Sequence, residues 1–344
     1  MKIGDIDLGP RPVLLAPMED VTDASFRFIC KEQGADVVYT EFISSDGLIR
    51  DAKKALAKLV TTEEEAPVGI QIYGSDPAAM VEAARMADRA AELAGGHGAD
   101  LIDINFGCPV SKIAGRGAGS GMMKEPDKMV AITRAIVEAV GKPVTVKTRL
   151  GWDEGSKIIV ELAERLQDTG IAALTIHGRT RCQMYKGEAD WSLIGAVKAN
   201  PRMHIPIIGN GDIASAEQAR AAFERYGVDG IMVGRASFGR PWIFREIKHL
   251  LATGEALPPP SVPERVALAK RHFARSLAVK GPVTGVYEMR RHLSCYFKGL
   301  PDFKETRIRL VTSTDPEEIV ALLEHIAVRW GEVPLAEPTG VYGI

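Results

Sequence analysis

The sequence predicts an α/β protein: a (β/α)8 TIM barrel followed by a small all-helical C-terminal domain. Three observations predict it. Short β-rich apolar runs recur through the first 234 residues, helical patterns alternate with them, and a proline-rich break is followed by helical pattern alone. In order, the apolar runs are 13–17 (VLLAP), 37–40 (VVYT), 68–73 (VGIQIY), 101–105 (LIDIN), 144–148 (VTVKT), 173–177 (ALTIH), 205–209 (IPIIG) and 231–234 (IMVG). Amphipathic stretches lie between them at 77–94, 126–140, 157–169 and 215–226. The first opens on a proline, and Gly95, Gly141, Gly170 and Gly227 stand where helices should stop. A doubly wound open sheet is the main competitor. However, no G-x-G-x-x-G follows the first strand, and GRGAGSG at 115–121 lacks that spacing. The helical ring should end near Leu251, which assigns 1–257 to a catalytic barrel.

The break at 258–263 (PPPSVP) reads as a stiff connector. Ser261 and Glu264 have capping-box spacing with Pro263 in the first turn, so a helix should start there. Helical patterns at 264–279, 284–298 and 315–330 make 261–331 the helical domain. The Gly- and Pro-containing end, 332–344, is expected to be a mobile tail.

Composition narrows the class. Of 344 residues, 46% are hydrophobic and 26% charged, enough apolar surface to exclude intrinsic disorder. No stretch approaches the roughly 18 apolar residues of a membrane span. Asp5 and Asp7 occupy the place of a signal-peptide core. The four cysteines never form C-x-x-C, which argues against a disulfide scaffold or zinc ribbon and points to a reducing cytoplasm. No His/Cys/Asp/Glu grouping has metal-ligand spacing, so no metal is expected. The net charge of −2 conceals a segregation: residues 261–312 carry 11 Lys/Arg against four acids, between two acidic segments. Such a block suits a polyanion, although basic side chains also simply solvate helix faces.

In a barrel the strand C-termini and the loops after them build the catalytic face. There the sequence places Ala16, Pro17 and Met18, small and apolar, suited to lie against a planar ring. It also places Gln71, Asn105, Cys108, Lys147, His177 and Arg179. Asn210, Gly211 and Asp212 after the seventh run, and Gly234 and Arg235 after the eighth, read as a phosphate cradle. A long planar ligand, anionic at one end, fits this set, and flavin mononucleotide (FMN) is such a ligand. Lys147, inside a buried strand pattern, would stabilise negative charge on a reduced flavin. Cys108, in the turn Gly107-Cys108-Pro109, reads as a proton donor, since an ordinary thiol near pKa 8.5 keeps its proton at neutral pH. Cys30 and Cys295 read as small buried hydrophobes; Cys182 stays open. His177 is either a core histidine or a contact to a phosphate or base.

Taken together, APMEDVTDASFR (16–27), IDINFGCPVSK (102–112), KTRLGW (147–152), TIHGRTR (175–181), IGNGDI (208–213), GRASFGRPWIFREI (234–247) and EMRRHLSCYFKGLPDFKE (288–305) resemble the tRNA-dihydrouridine synthases, most closely the bacterial B-type branch. The resemblance runs from about residue 10 to about 330. It implies an FMN enzyme of the cytoplasm that uses NADPH to reduce the C5–C6 bond of particular tRNA uridines. Hydride would pass from flavin N5 to C6 and a proton from Cys108 to C5. It further implies flavin contacts at Ala16, Pro17, Met18, Gln71, Lys147, Asn210, Gly211, Asp212, Gly234 and Arg235. His177 would touch the flavin phosphate or the substrate, and Asn105 and Arg179 the uracil. The target base must leave its stack to reach such a site. Arg271, Arg275, Arg290 and Arg291 of the basic block are the expected tRNA contacts, on a chain expected to be monomeric. A free-pyrimidine dehydrogenase would need no such block, and a non-catalytic RNA-binding barrel would need neither Cys108 nor Lys147.

Overall fold

The apolar runs become strands because neighbouring strands and covering helices bury them on both faces. The computed structural model describes residues 1–335. Its barrel strands are β1 (Val13–Leu15), β2 (Val38–Tyr39), β3 (Val68–Tyr73), β4 (Leu101–Asn105), β5 (Val144–Arg149), β6 (Ala173–His177), β7 (Ile207–Asn210) and β8 (Gly230–Val233). They pair in chain order, all parallel, with β1 lying beside β8. The ring closes where Leu14 bridges Val37 and the Leu15 amide donates to the Val37 carbonyl at 2.9 Å. A short strand at Ile43–Ser44 extends the pairing along β3.

An N-terminal ribbon, Lys2–Ile3 against Ile6–Asp7, was too short to show any alternation in the sequence. It inserts Ile3 among Leu14, Leu101, Ala173 and Ile208, so the N-terminal end of the barrel is plugged. The seventh strand starts two residues later than its apolar run. Pro206 has no N–H, and the Ile207 amide donates to the Asp229 carboxylate at 2.8 Å. That shift puts Asn210 at the strand end.

The outer helices are α1 (Ala24–Glu32), α2 (Pro77–Asp88), α3 (Pro126–Ala139), α4 (Ile159–Gln167), α5 (Ser192–Ala199), α6 (Ala216–Tyr226) and α7 (Ile243–Thr253). The stretch expected as one helix over 77–94 is two, the second being Ala90–Ala94, which stops at Gly95 with φ 77°.

Beyond the barrel come α8 (Val262–Tyr296), α9 (Lys304–Thr312) and α10 (Pro316–Trp330). Ser261 and Glu264 form the reciprocal cap that their spacing predicts. Gly281, at φ 78° and ψ 171°, breaks α8 into two arms just before Pro282. α9 escaped the sequence reading because only Thr306 and Leu310 of its nine residues are buried, too thin a stripe to register. The tail expected at 332–344 lies outside the described residues from 336 onward. Among the described residues, no helix is long and apolar enough to cross a membrane.

The helical segment does not stand apart. Its core of Phe273, Leu293, Tyr296, Leu323 and Trp330 also takes in Ile29 of α1 and Trp242. Polar ties cross the same seam: Lys280 to Asp23, Arg271 to Glu32 at 3.2 Å, and Arg275 to Glu64 at 3.2 Å. Arg291 donates to the Asp20 carbonyl at 2.9 Å.

One buried ion pair sets the seat of α1. Arg27 donates to Glu65 at 2.6 Å and to the Thr22 carbonyl at 2.9 Å, with both side chains shielded from water. Removing one partner strands the other charge, which typically costs about 3–5 kcal/mol, whereas an apolar pair of similar volume is near neutral. Glu65→Ala should therefore lower the Tm sharply, and Arg27→Met with Glu65→Leu should recover most of it, as read by thermal unfolding.

Candidate active site

In a closed parallel barrel the strand C-termini converge on one mouth. Here that mouth holds a cavity of about 310 Å³, within the usual range for small-molecule sites. Ala16, Pro17 and Met18 leave β1 to form an apolar part of its wall. Asn105 and Cys108 come from β4 and its loop, Lys147 from β5 and His177 from β6. Asn210, Gly211 and Asp212 follow from β7, and Gly234 and Arg235 from β8. The structure brings these twelve sequence-expected residues into one cavity.

Cys108 is fixed by its backbone. The Asn105 side-chain oxygen accepts from the amides of Gly107 at 2.9 Å and Cys108 at 2.8 Å. Ser120 donates its amide and hydroxyl to the Cys108 carbonyl. The thiol lies at the cavity with 8% of the residue exposed. Burial pushes its pKa up, and the Val110 amide, Arg149 and Lys147 only partly offset that rise. It therefore keeps its proton at neutral pH, the state a proton donor needs.

Lys147 pairs in register with Asn105 across β4 and β5. Burial lowers its ammonium to about 8, nearby Arg149 adds to the fall, and Asp103 resists it. Among the described residues it has no hydrogen bond or ion pair to a protein group. Burial and the charges of Arg149, Lys147, Arg179 and Arg235 drive His177 well below the ordinary imidazole range, so the ring is neutral. It can accept or donate a hydrogen bond without adding charge.

The glycines at the strand ends are there for close approach. At Gly211, φ is 130°, and a Cβ would sit 2.7 Å from Ala189 Cβ and 3.1 Å from the His177 ring. A partly buried ammonium without a protein partner, an arginine at the rim, close-approach glycines and an apolar patch at β1 together match an anionic, planar cofactor. FMN fits this donor set: Lys147 for the ring's polar edge, Arg235 and the Gly211 and Gly234 turns for the phosphate.

Several expected contacts are used otherwise. Gln71 is fully buried and absent from the cavity wall; its amide donates to Asp103 at 2.5 Å and accepts from Asn105 at 2.9 Å. Arg179 has no N–H left for a uracil. Its donors go to Asp212 at 2.7 and 2.8 Å, to the Lys186 and Gly187 carbonyls, and toward His177 at 3.5 Å. Asp212 in turn holds Arg235 at 3.3 Å and the Ala189 amide at 2.7 Å, so its carboxylate orients cations and a loop. Arg271, Arg275 and Arg291 bind the barrel across the seam described above. Arg290 donates to the Thr312 and Ser313 carbonyls at 3.0 and 3.1 Å, closing off the end of α9. Cys30 is buried as expected, and Cys182 is exposed.

Among the wall residues that the sequence reading missed are Arg149 and Tyr185. Arg149 was visible in principle, because strand alternation puts it on the face of Lys147, two residues earlier. It donates to the Gly107, Thr180 and Met184 carbonyls. Tyr185 sits in a loop that carries no pattern; its ring lies 4.7 Å from the Arg235 guanidinium and 5.8 Å from that of Arg149. At the rim the fold brings Glu41 to the adjacent pair Glu19 and Asp20, their carboxylate oxygens within 4.8 Å of one another, and Lys58 reaches Glu19 at 2.7 Å there.

The chain is similar to known proteins. The family described as "Dihydrouridine synthase" matches residues 14–329. A "Probable tRNA-dihydrouridine synthase" of Rickettsia conorii is 40% identical over 328 residues, covering 95% of each chain. A "tRNA-dihydrouridine synthase B" of Pseudomonas aeruginosa is 41% identical over 307 residues, 89% of this chain and 90% of that one. Among solved structures, a 2-naphthoyl-CoA reductase superposes with a TM-score of 0.54 at 13% identity, over 72% of this chain and 51% of its own, a likeness of fold. With a family match over most of its length and relatives at about 40% identity, the chain belongs to the dihydrouridine synthase family, on its B-type branch.

Proposed function

We propose that this protein is an FMN-dependent, NADPH-driven tRNA-dihydrouridine synthase of the cytoplasm. The observation that carries the reading is the pairing, in one cavity, of a protonated, rigidly held thiol with a partly buried ammonium that has no protein partner among the described residues. When bound, the flavin supplies the hydride that reduces a uridine C5–C6 bond. Lys147 binds and orients the ring's anionic edge, and Arg235 with the glycine turns holds the phosphate. Cys108 delivers the proton to C5, and Asn105 fixes the turn that carries it. Neutral His177 contacts the phosphate or the base. Tyr185, half exposed between two guanidinium groups, offers a stacking surface at the entrance.

The tRNA must present its uridine unstacked, at a cost of a few kcal/mol that phosphate contacts offset. The seam arginines are engaged with protein. Exposed Lys112 and Arg116, beside Cys108, and Lys304 and Arg307 on α9 are free for phosphates, having no side-chain partner among the described residues.

Four outcomes test this. Dihydrouridine mapped in tRNA from cells lacking the protein should be missing at particular positions and return with the wild type. Cys108→Ala should keep flavin and NADPH oxidation yet lose at least about 100-fold in dihydrouridine formation; retained formation refutes the proton-donor role. Lys147→Met should raise the Tm of the ligand-free protein, because a buried charge is removed, while weakening FMN retention at least about tenfold. An unchanged flavin affinity defeats that assignment. Replacing Lys112 and Arg116, or Lys304 and Arg307, by alanine should weaken tRNA binding and reduce the slope of log affinity against log salt by about 1 to 2.

A further inference from the structure

A line of buried hydrogen bonds runs from the barrel interior to the cysteine turn. Asp103, on β4 and 1% exposed, accepts from the Thr145 hydroxyl at 2.6 Å and from the Gln71 amide at 2.5 Å. The Gln71 carbonyl accepts from the Asn105 amide at 2.9 Å. The Asn105 carbonyl then accepts from the backbone of Gly107 and Cys108. Each of these side chains except Thr145 bonds to the next by a group that can take only one role.

The two ends dictate the direction. An ionised carboxylate can only accept, and a backbone N–H can only donate. Between them, each amide must therefore point its NH2 toward Asp103 and its oxygen toward Cys108. A reversed amide would set two donors or two acceptors face to face among buried side chains, leaving polar groups unsatisfied. We propose that Asp103 is a positioning residue: its carboxylate orders the Gln71–Asn105 relay and thereby holds the Cys108 turn, and its thiol, at the cavity.

The charge state at the head of the relay suits this role. Burial raises the Asp103 carboxyl to about 6, against hydrogen bonds from Thr145 and Gln71 and the charge of Lys147. It is thus ionised at neutral pH, with Thr145, Gln71, Lys147 and the buried Tyr39 as the polar or charged groups around it. No other carboxylate among the described residues hydrogen-bonds to Gln71 or Asn105.

The inference rests on Cys108 as the proton donor, so its test reads both turnover and the turn itself. Gln71→Glu sets two carboxyls side by side. Sharing one proton they can still pass the relay's direction on, and as pH rises that proton is lost and the two repel. The variant should therefore show a new alkaline loss of kcat, at least tenfold, with flavin content and the KM for tRNA unchanged. Adding Asp103→Asn places an NH2 donor against the introduced carboxylate and should remove that loss. In flavin-free protein, Cys108 alkylation, followed peptide by peptide to separate it from exposed Cys182, should rise at least threefold in Gln71→Glu at high pH and return in the double variant. Asp103→Leu, which deletes the acceptor, should loosen the turn at every pH. A Gln71→Glu profile matching wild type, or a double variant that keeps the loss, overturns the proposal. Should Asp103→Leu not fold, the Gln71→Glu pair decides alone. Alkylation that follows the relay while turnover does not would instead refute the proton-donor reading of Cys108.

Discussion

Four cations crowd one end of this barrel. Lys147, Arg149, Arg179 and Arg235 lie on or behind the cavity wall, and burial together with mutual repulsion acts on several of them. Arg149 falls to about 10, chiefly through burial, and Lys147 to about 8. Folding tolerates this only where carbonyls and carboxylates answer the charge. Asp212 answers Arg179 and Arg235, and three backbone carbonyls answer Arg149. Lys147 is left over. A site built with surplus positive charge in low dielectric is pre-organised for an anion, because the reorganisation has been done during folding.

The same surplus accounts for the neutral groups. A histidine among four cations cannot hold a proton, so His177 works as a dipole. The thiol is caught between burial, which favours the proton, and the cations, which oppose it, and burial prevails. A protonated thiol and a cluster of cations thus coexist in one small volume.

The fold was legible because strands of a closed barrel are covered on both faces and read as continuous apolar runs, separated by helices with glycine stops. The site was legible for a related reason: residues at strand ends must converge, so position along the chain stands in for position in space. What the sequence did not show was allegiance. Gln71 lies within β3 and Arg179 just past β6, yet both hydrogen-bond to protein neighbours, and sequence does not record who occupies a donor. The basic block has a second use of the same kind. Its positive charge is real, but Arg271, Arg275 and Arg291 answer acids and a carbonyl of the barrel, pairings set by how α8 docks on α1. Tyr185 carried no signal because its loop has no period and the TIHGRTR motif stops four residues before it.

The seam between barrel and helices has a bearing on how such proteins can be recombined. Ile29 and Trp242 belong to the helical core although the barrel segment supplies them, and Arg291 grips the Asp20 carbonyl in the very loop that brings Met18 to the cavity. A chimera cut at the proline connector would therefore inherit one parent's socket and another's plug. The natural unit of exchange is the helical arm together with α1 and the turn before it, a module that is discontinuous in the gene and contiguous in the molecule.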